Sequence, residues 1–210
     1  MRTYVVGITG ASGSVYAVRT LETLARRPQT RVHLVMSPGA ARTIELETDL
    51  RAADVAKLAH VVHDAGDLAA PISSGSFGTD GMIVVPCSVR TASAIAYSLN
   101  DNLLVRSADV SLKERRRLVL VVRETPLHLG HLRTLTRLSE MGAVVLPPAP
   151  GFYTRPKTVD DIVNHTVGKA LDLLGVGHEL YQRWGADSQS SAEAPVATAH
   201  GRGKVHPREG

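Results

Sequence analysis

Residues 5–18 read VVGITGASGSVYAV, and this stretch decides the fold. Apolar, partly β-branched residues run up to Thr9, small residues follow at 10–13, and apolar residues then recur at helical spacing. A strand, a small-residue turn and a helix N-terminus form an anion site, because free backbone N–H groups point outward there. The glycines at 7, 10 and 13 do not match the GxGxxG fingerprint of dinucleotide sites. The stretch therefore predicts a phosphorylated ligand other than an NAD-type cofactor, although the same glycines also suit a tight turn that binds nothing.

The composition indicates one compact domain. The chain has 210 residues and 43% hydrophobic residues, which suits one domain over 1–184, whereas 185–210 lack periodicity and are predicted to be a disordered tail. No stretch approaches the roughly 18 consecutive apolar residues of a membrane span. The first residues lead directly into a strand without the pattern of a signal peptide. A single cysteine, Cys87, excludes an intrachain disulfide, and these features together predict a cytoplasmic protein.

The positive charge favours small phosphates over nucleic acid. The net charge of +4 lies outside the last 26 residues, which balance three basic against three acidic side chains. Several basic residues fall within one short window, at Arg106, Lys113, Arg115, Arg116, Arg117 and Arg123. With only two Phe, one Trp and five Tyr, the chain is poorly supplied with aromatic groups for stacking bases.

Strand and helix patterns alternate along the chain. Strands are predicted at 3–9, 31–36, 60–62, 82–85, 118–122 and 143–146, and helices at 12–26, 38–46, 50–58, 88–97, 103–112, 127–141 and 158–174. The strands are continuous apolar runs, which is typical of a parallel sheet covered on both faces. The fold class predicted is therefore α/β, a Rossmann-like three-layer sandwich with a mainly parallel sheet. Its ligand is expected at the carboxyl ends of the strands, where the polar segments fall.

Six motifs in register resemble one known family. They are GxTGASG at 7–13, ETD at 47–49, PCS at 86–88, RxADVxLKERR at 106–116, LVLVxRExP at 118–126 and PAPGFY at 148–153. In this order they resemble the flavin prenyltransferases, historically described as subunits of aromatic-acid decarboxylases, over residues 3–184. The resemblance implies a homo-oligomer, typically a dodecamer, that binds reduced FMN and dimethylallyl monophosphate. It implies that the five-carbon group is joined to N5 and C6 of the flavin, and that prenylated FMN passes to a UbiD-like decarboxylase.

The resemblance also implies two sets of site residues. The flavin side is carried over to Gly10, Ala11, Ser12, Ser37, Ser88, Val89, Arg90, Thr91, Arg106 and Arg123. The allyl-phosphate side is carried over to Ser74, Lys113, Arg123, Tyr153 and Lys169. The implied catalytic residues are Glu47, Lys113, Glu124 and Tyr153.

The residue types suit this chemistry without a metal. Cleavage of the carbon–oxygen bond leaves extra negative charge on phosphate, which Lys113, Arg123 and Lys169 can stabilise. The aspartate-rich magnesium motif of diphosphate-using prenyltransferases is absent from the sequence. Glu124 is our candidate for proton transfer at C6, and Glu47 for assistance at N5.

Two positions depart from the family pattern. Many relatives have arginine where this chain has Lys169, and lysine lacks the bidentate fork that grips phosphate. Many relatives also have tryptophan where this chain has Leu68.

Other interpretations compete with each assignment. Cys87 can be a small core residue, and Glu47 can be a solvated carboxylate at the end of a helix. Arg115–Arg117 can form a solvated face or a contact between chains of an oligomer. Tyr153 suits a core plug and Lys169 a surface lysine. For the whole chain, the rivals are a related flavin-dependent cysteine decarboxylase, a non-catalytic flavin carrier and a direct decarboxylase.

Overall fold

Six parallel strands form the centre of the molecule. The computed structural model describes residues 1–183, so the predicted tail at 185–210 lies outside the described residues. The strands are β1 (Arg2–Ile8), β2 (Thr30–Met36), β3 (Val61–His63), β4 (Gly81–Cys87), β5 (Leu118–Val122) and β6 (Val144–Val145). They lie in the order β3-β2-β1-β4-β5-β6, and every pairing is parallel. This order confirms the predicted Rossmann-like architecture.

Helices cover both faces of the sheet. They are α1 (Ser14–Ala25), α2 (Pro38–Glu47), α3 (Ala52–Ala56), α4 (Val89–Ala96), α5 (Leu103–Lys113), α6 (Leu129–Glu140) and α7 (Val159–Leu174). Short 3₁₀ turns lie at Pro71–Ser73 and Phe152–Thr154. The expected capping residues of α7 are confirmed, with Thr158 at its start and a left-handed Gly175 at its end.

Alternate residues of each central strand enter two separate cores. In β1, Tyr4, Val6 and Ile8 pack with α1, α2, α3 and α7, whereas Val5 packs on the other face with α4, α5 and α6. The same alternation holds in β4 and β5. This two-sided burial explains why the strands read as unbroken apolar runs rather than as alternating patterns.

Several predicted boundaries shift for local reasons. Helix α1 begins at Ser14 rather than at residue 12. Gly13 has φ +112°, a left-handed conformation outside the helical range, so it is the N-cap and the helix starts after it. Strand β4 continues through Pro86 to Cys87, and the pairing with β5 shifts register between Val84 and Cys87, where proline lacks an N–H donor. Helix α3 spans only five residues, Ala52–Ala56, and not the predicted 50–58.

The order of the strands fixes a crevice between β1 and β4. The chain moves outward from β1 in one direction through β2 and β3, and in the other from β4 through β5 and β6. The connection after β1 goes to the α1 face and the connection after β4 goes to the α4 face. The backbones therefore part at the carboxyl ends of β1 and β4, which is where such sheets bind ligands.

No helix among residues 1–183 has the length and apolar character needed to cross a bilayer.

Candidate active site

Three helix N-termini lie at the carboxyl edge of the sheet. Ser37 caps α2 by accepting from Ala40 N at 3.2 Å, and Ser88 caps α4 by accepting from Thr91 N at 3.2 Å. Both caps were predicted from the sequence and are confirmed. The first turns of α1, α2 and α4 contain no acidic residue, so the partial positive charge of each helix end is not neutralised by the helix itself.

Thr9 joins the two sides of the crevice, and the sequence analysis missed this role. Its hydroxyl donates to Pro86 O at 2.8 Å and accepts from Ser88 N at 2.8 Å, and its own N–H donates to Pro86 O at 3.2 Å. Thr9 is only 2% exposed. A hydroxyl at the end of an apolar run was the available signal, because a buried hydroxyl needs partners. Thr9 therefore fixes the start of α4 relative to β1.

The glycine turn is shaped by a close approach of two backbones. A Cβ atom at Gly10 would lie 3.1 Å from the backbone of Gly39, in the first turn of α2. Ala11 is buried, and Ser12 is half-buried beside Gly13. A side chain at position 10 would therefore crowd the backbone of α2, so Gly10, the second glycine of the motif, favours this close packing.

The first turn of α1 already holds an anion, and this corrects the simplest form of the phosphate prediction. Glu47 Oε2 accepts from Gly13 N at 2.9 Å and from Ser14 N at 2.8 Å. Partial burial tends to raise the pKa of this carboxyl, but hydrogen bonds from Ser12, Ser14 and Gly13 outweigh it, and the pKa is lowered. Two N–H groups that were expected to face a phosphate therefore bind an ionised side chain of the protein.

Arg123 reaches from the end of β5 to the glycine turn. Its Nε donates to Ser12 O at 3.2 Å, and its backbone N–H donates to Cys87 O at 3.1 Å. Within residues 1–183 its terminal guanidinium nitrogens make no hydrogen bond, so they are available to a ligand at this edge. Glu124 follows directly, is half-buried, and accepts from Thr125 N at 3.0 Å.

A cavity of about 260 Å³ opens beside Ser37, between the ends of β2 and β3. Met36, Pro38, Val62 and His63 contribute to its mainly apolar lining. At the other side of the crevice, α4 presents Val89, the exposed Arg90 and Thr91, whose hydroxyl accepts from Ser88 Oγ at 3.1 Å. The carboxyl edge therefore offers apolar space beside Ser37 and, on the other side of the crevice, hydroxyls, a helix N-terminus and a guanidinium. Groups of these kinds suit a planar ring that carries a phosphate. These residues therefore fit FMN.

Cys87 takes no part in this chemistry. Its side chain is fully buried, and burial raises the pKa of its thiol to about 12. The thiol is therefore protonated at neutral pH, which agrees with the core-residue interpretation of the sequence.

Two predicted phosphate ligands, Lys113 and Ser74, lie close together beside α5. Lys113 ends α5 just before β5, and its ammonium pairs with Glu114 and packs on Gly75, in the loop that leads into β4. Ser74 in the same loop is exposed, and its hydroxyl lies 2.9 Å from that of Ser76. This loop enters the sheet at the start of β1 and β4, where Asp80 N donates to Thr3 O. Seven-residue strands separate this end of the loop, at Asp80, from the glycine turn by about 20 Å.

Arg106, predicted for the flavin side, lies near the start of α5 and contacts the loop that carries Ser74. Its Nε donates to Ser73 O at 3.0 Å, and it pairs with Asp109 at 3.2 Å. The side chain is thus already engaged on the loop that carries Ser74.

A third group lies on α7. Tyr153 OH is 3.1 Å from His165 Nε2, and Lys169 lies one helical turn further along α7 on the same side. Tyr153 and Lys169 are exposed, and no hydrogen bond of Lys169 occurs within residues 1–183. His165 was missed, because a lone histidine inside a helix carries no pattern. Within one chain the predicted site residues therefore form three groups, and only the first occupies the predicted crevice.

The contact between Glu47 and the first turn of α1 predicts a pH-dependent stability difference. We expect Glu47→Gln to lower the free energy of unfolding at pH 7 by about 1 kcal/mol, the usual value of a helix cap, with solvent screening keeping it near or below that figure. Because the folded-state pKa of Glu47 is lowered, its contribution is fully present above the ordinary value of 4.5 and is lost as the pH falls through the folded-state value. Urea unfolding at fixed protein concentration, from pH 7 down to 3, measures this difference.

Glu45→Gln is the matched control, since Glu45 is an exposed residue of the same helix. Equal stability of the Glu45→Gln and Glu47→Gln proteins at every pH would contradict the assignment.

Comparison with known proteins gives the same picture as the site. The Flavoprotein family model matches residues 1–171. The flavin prenyltransferase UbiX of Thauera aromatica is 56% identical over 180 residues, which are 86% of this chain and 92% of that protein. Two solved structures are similarly close in sequence. AnUbiX (PadA1), solved in complex with FMN and dimethylallyl pyrophosphate, has a TM-score of 0.84 at 48% identity, over 87% of this chain and 97% of that one. A dodecameric FMN-dependent UbiX-like decarboxylase from Escherichia coli O157:H7 has a TM-score of 0.85 at 51% identity, over 87% and 98%.

The rival family shares the fold but little sequence. The FMN-dependent cysteine decarboxylase TvaF has a TM-score of 0.61 at 16% identity over 83% of this chain, which shows a common fold alone. By contrast, the flavin prenyltransferases are about 50% identical to this chain over nearly their whole length, which decides between the two families. This chain belongs to the flavin prenyltransferase family.

Proposed function

We propose that this protein joins the dimethylallyl group of dimethylallyl monophosphate to N5 and C6 of reduced FMN, releases phosphate, and supplies the prenylated FMN to a UbiD-like decarboxylase. The observation that carries the proposal is the set of helix N-termini, hydroxyls and apolar space at the carboxyl edge of the sheet, in a chain so similar to AnUbiX, whose structure holds FMN and dimethylallyl pyrophosphate. An acceptor that must stay reduced suits a cytoplasmic protein.

The flavin is held by groups at the carboxyl ends of the strands. The α4 N-terminus with Ser88, Val89, Arg90 and Thr91 supplies N–H and hydroxyl donors. Gly10, Ala11 and Ser12 line the turn, and Ser37 borders the apolar cavity. These groups recognise phosphate and the polar edge of the ring by hydrogen bonding, and apolar contact covers the ring face.

When bound, reduced FMN supplies the electron pairs that form the two new bonds to the five-carbon group. The protein has to stabilise the charge that leaves with the phosphate as the allylic carbon–oxygen bond breaks. Arg123, Lys113 and Lys169 are cations, and Tyr153 is a hydrogen-bond donor, so together they stabilise that charge without a metal. Ser74 adds a hydroxyl on the phosphate side.

The placement of these cations requires more than one chain. Lys113 precedes β5 and Arg123 follows it, so the five residues of that strand, about 16 Å, separate their backbones, and Tyr153 and Lys169 lie on the α7 face. No side chain spans that distance, so a neighbouring chain of the homo-oligomer supplies the groups that the first chain lacks. The dodecameric state of the Escherichia coli O157:H7 relative supports an assembly in which such neighbours exist. We propose a homo-oligomer, a dodecamer by this similarity, with sites shared between chains.

Two carboxylates manage protons and charge at the flavin. The bond to N5 replaces the allylic carbon–oxygen bond, and the bond to C6 uses the allylic double bond, whose middle carbon takes up a proton. Glu124, directly after the phosphate-side Arg123, accepts the proton lost from C6, through the bound phosphate. Glu47 is held ionised at the first turn of α1, at the edge where the flavin binds, and its negative charge assists at N5.

An anaerobic reaction tests the proposed function. The protein is mixed with chemically reduced FMN and dimethylallyl monophosphate in the presence of a metal chelator. The flavin is then extracted and its mass is measured by mass spectrometry. We expect a flavin heavier by one five-carbon unit and one phosphate released per flavin. Dimethylallyl diphosphate in a parallel reaction is expected to react more slowly, because the sequence has no aspartate-rich metal motif to bind the second phosphate. Unchanged flavin without phosphate release would contradict the function and favour the carrier or the direct decarboxylase.

Substitution of Glu124 tests the proton acceptor. We expect Glu124→Gln to bind FMN within about twofold of the unchanged protein but to form product about 100-fold more slowly in a single turnover, which is typical of a lost general base. Rapid-mixing spectroscopy under anaerobic conditions measures the rate. Glu140→Gln, at an exposed position on α6, is the control and should react normally. A normal single-turnover rate in Glu124→Gln would remove this residue from the mechanism.

A further inference from the structure

Two arginines hold the backbone on either side of Ser74. Arg106 Nε donates to Ser73 O at 3.0 Å, and Arg116 Nη2 donates to Gly75 O at 2.6 Å. Both carbonyl groups adjoining Ser74 are therefore fixed by charged donors, which make stronger hydrogen bonds than neutral ones. Ser74 itself remains exposed between them.

Arg116 extends this grip along the loop. Its Nη1 donates to Phe77 O at 2.8 Å and to Thr79 Oγ1 at 3.4 Å, so one guanidinium contacts three positions of residues 75–79. The planar fork of arginine suits several acceptors at once, whereas lysine provides a point charge. Phe77 also packs edge-on against His33 of β2, with ring centroids 5.2 Å apart. The loop is thereby tied to the connection between α5 and β5 through Arg116 and to the sheet through Phe77.

Lys113 shares this packing. A Cβ atom at Gly75 would lie 2.6 Å from Lys113 Nζ, so the ammonium rests directly on the backbone that Arg116 holds. Displacement of Gly75 would displace the ammonium. Ser74 and Lys113, the two phosphate-side residues at this edge, are thus both placed by the backbone of one loop.

The neighbouring Arg115 makes none of these contacts. It is exposed, has φ +56°, and no hydrogen bond of its side chain occurs within residues 1–183. The sequence analysis treated Arg115–Arg117 alike as a solvated face or an oligomer contact. The two residues differ in the structure. Arg116 is half-buried and its guanidinium makes three hydrogen bonds to the loop, whereas the Arg115 side chain makes none there.

We propose that Arg116 is a positioning residue for the allyl phosphate: by fixing residues 75–79 it places Ser74 and Lys113 for the phosphate group. The inference rests on the proposed function and adds a residue that does not touch the substrate. Because small misplacements of charged groups weaken phosphate binding strongly, loss of this clamp affects the allyl phosphate, whereas the residues proposed to hold the flavin make no contact with Arg116 and keep their positions.

The test compares Arg116→Gln, Arg116→Lys and the matched control Arg115→Gln in the full chain. We expect Arg116→Gln to raise the KM and the calorimetric Kd for dimethylallyl monophosphate about tenfold, with the Kd for FMN and the mass of the oligomer unchanged. Arg116→Lys should recover part of the loss, since lysine can reach one carbonyl, and Arg115→Gln should stay within about twofold. Amide hydrogen exchange at 75–79 should be faster in Arg116→Gln than in Arg115→Gln.

Several results would overturn the inference. One is equal KM and Kd values for dimethylallyl monophosphate in Arg116→Gln and Arg115→Gln. Another is a parallel loss of FMN affinity and thermal stability, which would indicate a general role in folding. If Arg116→Gln does not fold, the same comparison of Arg116→Lys with Arg115→Gln decides the question. Absence of turnover in the unchanged protein would instead contradict the proposed function. The calorimetric Kd and the amide exchange would still show whether Arg116 holds residues 75–79 and supports binding of the allyl phosphate.

Discussion

The direction of the parallel strands is the constraint on which the site depends. All six strands run the same way, so the loops that follow them lie at one edge and the loops that precede them lie at the other. The central strands are seven residues long, and about 20 Å separates the two edges. Arg123 is thereby placed at one edge and Lys113 at the other. Within a single chain Arg123 and Lys113 stay apart, so the proposed site needs a neighbouring chain.

The carboxyl edge is organised by short-range polar contacts rather than by a preformed empty anion hole. Thr9 ties β1 to the start of α4, Arg123 ties β5 to the glycine turn, and Glu47 occupies the first turn of α1. Helix N-termini remain available at α2 and α4. The crevice thus has the negative charge of Glu47 at α1 and positive groups at the α4 N-terminus and at Arg123 after β5. This separation of charge suits a ligand with an anionic end and a redox-active ring.

The sequence predicted the fold and most of the candidate site residues, but it did not predict which of those residues lie together in one chain. Unbroken apolar strands predicted the parallel sheet, and the caps at Ser37, Ser88 and Thr158 were readable because capping chemistry is local. Glu47 was identified, yet its contact with Gly13 joins positions 34 residues apart and had no sequence signal. Likewise, motif order cannot show at which edge Lys113 lies. The family resemblance supplied the residues of the site, and only the strand direction shows that they are divided.

Mixed oligomers test the shared site most directly. The Lys113→Ala and Arg123→Ala proteins are prepared separately, each assayed for prenylated flavin, and then co-assembled in equal amounts. If neighbouring chains complete each site, random mixing should restore about one quarter of the unchanged protein's activity, because one quarter of the sites combine an intact Lys113 from one chain with an intact Arg123 from another. No recovery from the mixture, with normal oligomer mass, would contradict the account and place both residues in the same chain's site.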